Sequence, residues 1–523
     1  MIKKPSFVRG ALTLTAAGIL SKLLGAIYRI PFANFVGNEG IGLYQMAYPI
    51  YTSLLAISTG GVPVAVSILV AESLSKGDKR GANRILLTAM ALLGCLGTVL
   101  SLALYKGSKF IAESLLYDNR AMYSLMLISP ALFFTALISP LRGYFQGGQN
   151  MFPTAVSQVV EQTIRVITVF IGAYLLLPYG MEFAAAGATF GAVTGGISAL
   201  VVLSGFFIFA RVKGDNPPGI SYLECTKRLA VLAVPVCIGG LVIPIMQGID
   251  ALIVPLRLRT AGYDVQGATA MYGELTGMAG PLINIPGVVT MALAASIVPA
   301  VSSALAQRKI ELLKRRVEET LRISVLICLP AAVGLAVLAK PISLSLYDLP
   351  GMGSTLASLA PAALFLGLHQ ASAGVLQGMG KTGLPVRNLI IGGFVKLVIT
   401  YSLTAMQEWG IKGAAIGSVA GFALASALNF SDLYRLLPFD LQVGKLLLKP
   451  TLAVTIMAII LAVTKNHLVE GRLSGLLLVI AGGMVYGLSL LWLGELRAKE
   501  ISAIPLIGVG LARLLLDIGI VRE

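Results

Sequence analysis

About fourteen stretches of this chain are apolar over the length of a bilayer crossing, and that leaves little sequence for anything else. They run near 7–30, 42–72, 84–106, 121–146, 155–178, 183–211, 226–256, 268–303, 320–340, 355–379, 386–407, 412–436, 446–465 and 473–494. Hydrocarbon offers no partner to a backbone amide, so a spanning segment must bond to itself as a helix or close into a barrel. Stretches of roughly 20 residues are helical spans rather than barrel strands. The expected fold class is therefore all-α and polytopic. Composition agrees: 56% of the 523 residues are hydrophobic and 12% charged, the latter about half the share usual in soluble domains. Two stretches, 42–72 and 268–303, are too long for one straight span. Pro49, Gly60, Gly61 and Pro63 interrupt the first, and Pro281, Pro286 and Gly287 the second, which permits kinks or extension into water. Phe7–Ile30 lacks a small-residue cleavage site and reads as the first helix rather than a signal peptide.

The chain also repeats itself at an offset of about 230 residues. Leu141-Arg-Gly-Tyr-Phe-Gln-Gly-Gly-Gln149, followed by Pro153, is answered by Gly374-Val-Leu-Gln-Gly-Met-Gly-Lys381, followed by Pro385. The two interrupted stretches stand in corresponding places. Paired Gly/Pro-broken apolar segments are the best sequence pointer to a transporter's substrate path. The offset covers about six helices, an even number, so the copies are parallel repeats. The expected organisation is a first lobe over 1–213, a turn-rich linker over 214–225 containing Gly214-Asp-Asn-Pro-Pro-Gly219, and a second lobe over 226–437. Residues 438–523 add two unpaired helices and a tail with helical apolar spacing over 498–520. The segment Gln307–Arg322 reads as an amphipathic extension into the next span.

The formal charge of +16 suggests nucleic acid until the charges are placed. With the N-terminus inside, basic residues favour the inner loops by about three to one, which puts both termini in the cytoplasm. The basic balance is a topology signal, with contact to anionic lipids following from it. Cys95, Cys225, Cys237 and Cys328 show no paired spacing and read as small buried hydrophobes. With only His369 and His467 available, a zinc site is not expected.

Ionisable groups at membrane depth are functional candidates by default. Arg29 precedes Pro31 near the outer end of the first helix. Either it snorkels, or it meets an anion through its planar fork. Lys22 lies two turns earlier on roughly the same face, so the two form a basic stripe. Glu161 and Arg165, at i and i+4, share a face as an ion pair, serving either self-neutralisation or a site. Asp250 and Glu274 flank the loop after the seventh helix, close to Arg257 and Arg259. They read as gate pairs, with Glu274 alternatively facing a cavity. Lys396 lies mid-span without a local acidic partner in sequence. Arg142, Gln146, Gly147 and Pro153 read as a hinge-forming turn, with Gln377 and Gly378 as its second copy. Gly187, Gly191, Gly195 and Gly196, and likewise Gly413, Gly417 and Gly421, suit close helix packing.

Taken together, these residues resemble the multidrug/oligosaccharidyl-lipid/polysaccharide exporter superfamily. Ser21-Lys-Leu-Leu-Gly25, Tyr28-Arg-Ile-Pro31, Gly40-Ile-Gly-Leu-Tyr-Gln45 and Arg142-Gly-Tyr-Phe-Gln-Gly147 resemble its stage V sporulation protein B group. That group is similar to the MurJ-type lipid II flippases. The resemblance implies a multi-pass transporter of the bacterial cell membrane, not an enzyme. It implies translocation of an undecaprenyl-pyrophosphate-linked glycan such as lipid II by alternating access, in cell-wall or spore-cortex synthesis. It further implies a basic cavity onto which Arg29 maps. The Arg-Asp pair typical of the Gram-negative first helix is absent, with Tyr28-Arg29 in its place, and Thr59-Gly-Gly61 occupies the region of a second cavity arginine. Expected partners are the lipid-linked glycan and anionic lipids, with cell-wall polymerases as a further candidate and no nucleic acid. No cofactor is expected; Na+, H+ or the membrane potential are the candidate couplings. A cation-coupled multidrug exporter is the alternative, favouring acidic and aromatic site residues. A membrane glycosyltransferase would need paired carboxylates on an outer loop, and none are recognisable. A scaffold without transport is a further reading.

Overall fold

The computed structural model describes residues 7–210, 221–437, 443–465 and 472–495. The linker expected near 214–225 falls mostly outside them, and the tail helix expected over 498–520 lies wholly outside. All regular structure among the described residues is helical. Among the described residues thirteen helical segments are long and apolar enough to cross a membrane. The first, Ala16–Ser75, is 60 residues long and is broken at Gly37, whose φ of 70° no continuing helix adopts, so it has the length of two spans. Large side chains such as Phe209 (94% exposed) and Trp492 (80%) are bare, as surfaces solvated by lipid are and surfaces in water rarely are.

The chain forms two compact units, Met1–Met278 with Ala405–Gln407, and Ala279–Thr404 with Glu408–Glu523. The first holds α1 (Phe7–Ile27), α2 (Arg29–Thr59), α3 (Val62–Ser75), α4 (Lys79–Phe110), α5 (Ala121–Ile128), α6 (Pro130–Gly147), α7 (Phe152–Leu176), α8 (Met181–Thr189), α9 (Gly191–Ala210), α10 (Tyr222–Thr260) and α11 (Val265–Gly273). A π-helical turn, Glu274–Ala279, follows. The second unit holds α12 (Gly280–Ala306), α13 (Ile310–Val337), α14 (Ala339–Tyr347), α15 (Met352–Leu359), α16 (Ala362–Gly378), α17 (Gly383–Leu403), α18 (Ile411–Leu436), α19 (Val443–Thr464) and α20 (Arg472–Trp492).

Small residues set how closely these helices approach, since lipid supplies no hydrophobic drive between them. In the first unit a Cβ on Gly143 would stand 2.7 Å from the Pro63 carbonyl oxygen, and one on Gly147 2.6 Å from that of Ser67, so α6 lies directly on α3. In the second unit a Cβ on Gly374 would stand 2.9 Å from the Ala294 carbonyl oxygen, and one on Gly378 2.8 Å from that of Val298, so α16 lies on α12. The repeated motif thus seats its helix on a Pro-containing neighbour in each unit. Both copies end in the same turn. Gln149 N–H donates to Gln146 O and Gly380 N–H to Gln377 O, and Gln149 and Gly380 occupy the left-handed region at φ 58° and 75°.

Within the first unit the opening of the eighth span belongs with the second. Added Cβ atoms on Gly42 and Gly273 would come within 2.2 Å of Thr269 O and 2.1 Å of Asn38 O, so α11 packs backbone to backbone on α2. Within the second unit the Gln307–Arg322 segment enters α13, burying Leu313, Val317 and Leu321 while Leu312 stays exposed. Arg322, at the end of that segment, is buried. Its Nε donates to Glu495 Oε1 at 2.6 Å, and Lys449 reaches the other carboxylate oxygen at 3.6 Å. Cys225 and Cys328 are buried, whereas Cys95 is exposed on α4, so the buried-hydrophobe reading fails for that one.

Candidate functional site

The site grows from α7. Pro153 stands in its first turn, where a missing N–H costs nothing, and Glu161 and Arg165 follow one turn apart. α9 packs on α7 at these residues: a Cβ on Gly195 would stand 2.8 Å from Glu161 O and 3.2 Å from Arg165 Cβ, and one on Gly191 2.9 Å from Arg165 O. Beyond that contact the Glu161 side chain reaches α6 and that of Arg165 reaches α2.

The expected pair forms, with Arg165 Nη2 donating to Glu161 Oε1 at 2.6 Å. A third member comes from α6: Arg142 Nη2 donates to Glu161 Oε2 at 2.8 Å, and Arg142 Nε to Ser157 Oγ at 3.2 Å. Arg142, placed with the hinge residues by its position in the repeat, therefore brings its guanidinium into the ionic cluster while its neighbours Gly143 and Gly147 do the packing. The side chains of Arg142, Glu161 and Arg165 are 17%, 16% and 14% exposed, so the triad is inside the protein without being sealed. One carboxylate between two guanidiniums leaves positive charge over. Arg165 Nε is buried without a hydrogen-bond partner.

A ladder of tyrosines borders the triad. Tyr44 and Tyr48 stack with centroids 5.6 Å apart, Tyr48 and Tyr51 follow at 5.9 Å, and the hydroxyls of Tyr28 and Tyr44 lie 3.2 Å apart. Arg165 lies beside Tyr44, Tyr48 and Tyr51. Arg29 approaches the same ladder beside Tyr28, Tyr44 and Tyr48, and its Nε too is buried and unpartnered. Arg29 is thus turned inward. Sequence reasoning passed over the tyrosines, although Tyr44, Tyr48 and Tyr51 at i, i+4 and i+7 are spaced as one helical face. The side chain of Lys22 lies outside the described residues.

The gate candidates stand on α10 and at the end of α11. Glu274 accepts from Asn38 Nδ2 at 2.9 Å. Arg259 donates to Tyr117 O at 3.4 Å and lies 5.9 Å from that ring's centroid. Asp250 neighbours Tyr272, and Arg257 stands in the last turn of α10. A second ionic cluster had no sequence signal. Arg120 grips both carboxylate oxygens of Asp118 at 2.9 and 2.8 Å and also bonds Glu39, and Thr269 Oγ1 donates to Asp118 Oδ2 at 2.7 Å. The Asp118 hydrogen bonds hold the Arg120 guanidinium above the usual arginine range.

In the second unit Lys396 lies where α18 crosses α17, its Cβ 2.8 Å from a Cβ built on Gly421. Nearby, Asn388 Nδ2 donates to Asn429 Oδ1 and Asp432 Oδ2 at 2.9 and 2.7 Å, Arg387 joins Asp432 at 2.8 Å, and the Asn429 amide reaches His369 Nδ1 at 3.2 Å. Gln377 and Gly378 stay with the packing turn. Among the described residues no group of three or more His, Cys, Asp or Glu could hold a metal ion.

Comparisons with known proteins agree in direction. A family model described as polysaccharide biosynthesis protein matches residues 7–305, and one described as MatE matches 275–402. The chain is 31% identical over 515 residues to stage V sporulation protein B of Bacillus subtilis (strain 168), covering 97% of this chain and 99% of that one. It is 29% identical over 479 residues to the lipid II flippase MurJ of the same organism, covering 87% of each. The fold resembles a solved structure of lipid II flippase MurJ in an inward closed conformation, with a TM-score of 0.70, 16% identity and 91% and 98% of the two chains covered. It also resembles an inward-facing multidrug resistance MATE family transporter, with a TM-score of 0.66, 17% identity and 79% and 93% covered. A family model spanning over half the chain and a relative aligned along nearly all of it place this multi-pass membrane protein in the multidrug/oligosaccharidyl-lipid/polysaccharide exporter superfamily, in the group of stage V sporulation protein B and MurJ.

Proposed function

We propose that this protein is a flippase that carries an undecaprenyl-pyrophosphate-linked glycan, lipid II or a related lipid-linked oligosaccharide, from the inner to the outer leaflet by alternating access. The observation that carries this reading is the buried excess of positive charge in the first unit. Arg142 and Arg165 share a single carboxylate, Glu161, Arg29 lies beside the same tyrosines as Arg165, and two guanidinium Nε groups are unpartnered. A diphosphate cannot cross about 30 Å of hydrocarbon unaided, because an unpaired charge there costs many kcal/mol. Buried guanidiniums replace its water with directed donors. The polyprenyl tail stays in lipid meanwhile. Lys22 and Lys396 are further cations that would assist, and Glu274 would stand by the path. Both termini are cytoplasmic in this reading, with Na+, H+ or the membrane potential as the driving force. The names of the relatives above support the same substrate class.

A multidrug exporter is the second reading, favoured by the match to the MatE model and by the tyrosine ladder, since aromatic faces attract organic cations. Arg29 and Arg165 beside those rings oppose it. Leaflet-resolved labelling of lipid II discriminates between them. In cells depleted of this protein and lacking redundant flippases, outer-leaflet lipid II should fall. Unchanged outer-leaflet exposure would overturn the proposal.

A further inference from the structure

We infer that Glu161 is a built-in counter-anion, which occupies the arginines in the empty site, is displaced from Arg165 by the substrate's diphosphate, and returns to drive release. The inference rests on the reading that the site takes a diphosphate. Its basis is how Glu161 uses its partners. The carboxylate gives one oxygen to each arginine, Oε2 to Arg142 at 2.8 Å and Oε1 to Arg165 at 2.6 Å. Each guanidinium offers a planar two-donor edge that a carboxylate or phosphate can take in full. Arg142 fills its edge, with Nη2 on Glu161 and Nε on Ser157. Arg165 does not, because Nη2 is on Glu161 while Nε is unpartnered. Arg165 is therefore held by half its fork, and a phosphate that took Nη2 and Nε together would outbid a single carboxylate oxygen.

The surroundings favour the exchange. Arg29, also with an unpartnered Nε, borders Tyr44 and Tyr48, as Arg165 does. Two phosphate groups joined by one bridging oxygen would find these two guanidiniums along one tyrosine face. Glu161 keeps Arg142 as its partner throughout, so displacement from Arg165 does not strand a buried carboxylate, which would be costly. Without Glu161 the Arg142 and Arg165 guanidiniums would lose the carboxylate they share. Such a site would be costly when empty and slow to release when filled. A carrier gains nothing from binding its cargo tightly in every state, since only differential affinity moves it between conformations.

The test is calorimetric binding of inorganic pyrophosphate to the purified full-length protein in detergent, paired with a flipping assay in proteoliposomes. Glu161→Gln should bind pyrophosphate roughly tenfold tighter or more while flipping slows. A merely structural role predicts the opposite, weaker binding through loss of order. Arg165→Lys, which keeps the charge but lacks the fork, should weaken binding. If wild type binds and Glu161→Gln binds equally or more weakly, the counter-anion role is wrong though the diphosphate site survives. If neither binds pyrophosphate, the diphosphate reading itself falls, and the inference with it. Should Glu161→Gln fail to fold, isotope-edited infrared difference spectra of wild type decide the matter. A shift of the Glu161 carboxylate band on adding pyrophosphate is expected, and an unmoved band overturns the inference.

Discussion

The corner where α6, α7 and α9 meet in the first unit and the corner where α16, α17 and α18 meet in the second are built alike and filled differently. In the first, Gly191 and Gly195 press α9 onto the α7 backbone at Arg165 and Glu161. In the second, Gly417 and Gly421 press α18 onto α17 at Lys396 and Gly392. One frame holds an ionic triad left about one-sixth exposed. The other encloses an amide network in which Asn388 and Asn429 are 0% exposed and His369 8%. The lesson is that both copies share the backbone approach, which small residues control, while the polar filling differs, an Arg142–Glu161–Arg165 triad in one and a network through Asn388, Asn429 and Asp432 in the other.

Several substitutions can break or sharpen that contrast. The largest effect is expected from Arg29→Ala, which should insert normally yet lower flipping roughly 100-fold or more, the scale of losing a buried charged contact; full activity in proteoliposomes would return Arg29 to a snorkelling role. Next, Gly195→Leu and Gly421→Leu should each cost about 1–3 kcal/mol by overpacking. Both would lower the melting temperature in detergent, but only the first should also disturb pyrophosphate binding, and equal disturbance by both would erase the distinction between the corners. Asn388→Leu should cost about 1–3 kcal/mol by stranding the Asn429 and Asp432 partners, with substrate transport per folded molecule unchanged; lost transport at preserved folding would give the second corner a functional role. The smallest effect belongs to the shared turn. Gln149→Gly should stabilise by up to about 1 kcal/mol, because an L-residue pays for the left-handed conformation that Gly380 occupies freely in the other copy. No gain in thermal stability would mean that the Gln149 side chain compensates for it.

Local rules account for what was readable in advance. The Glu161–Arg165 pair was legible because i and i+4 always share a helix face. The glycine stripes were legible because close approach needs small residues at that same period. Position in the repeat tells only part of Arg142, because its motif carries two contacts at adjacent positions: glycines that pack on α3 and a guanidinium that crosses to α7. Nothing local links Arg120 to Glu39, or Asp118 to Thr269, which lie 81 and 151 residues apart. Those pairs exist only because helices distant in sequence end at the same place.

The amino-acid order by itself determined the membrane class, the helical spans and the repeated packing motif, since each follows from hydropathy, helical period and the needs of an unpaired backbone in lipid. Tertiary structure alone decided which charges meet. It turned Arg29 inward to the tyrosines, added Arg142 to a pair that looked self-contained, and left Arg165 holding its carboxylate by half a fork. The physical reason is that a side chain's direction around its helix is periodic and local, whereas its partner depends on how helices cross.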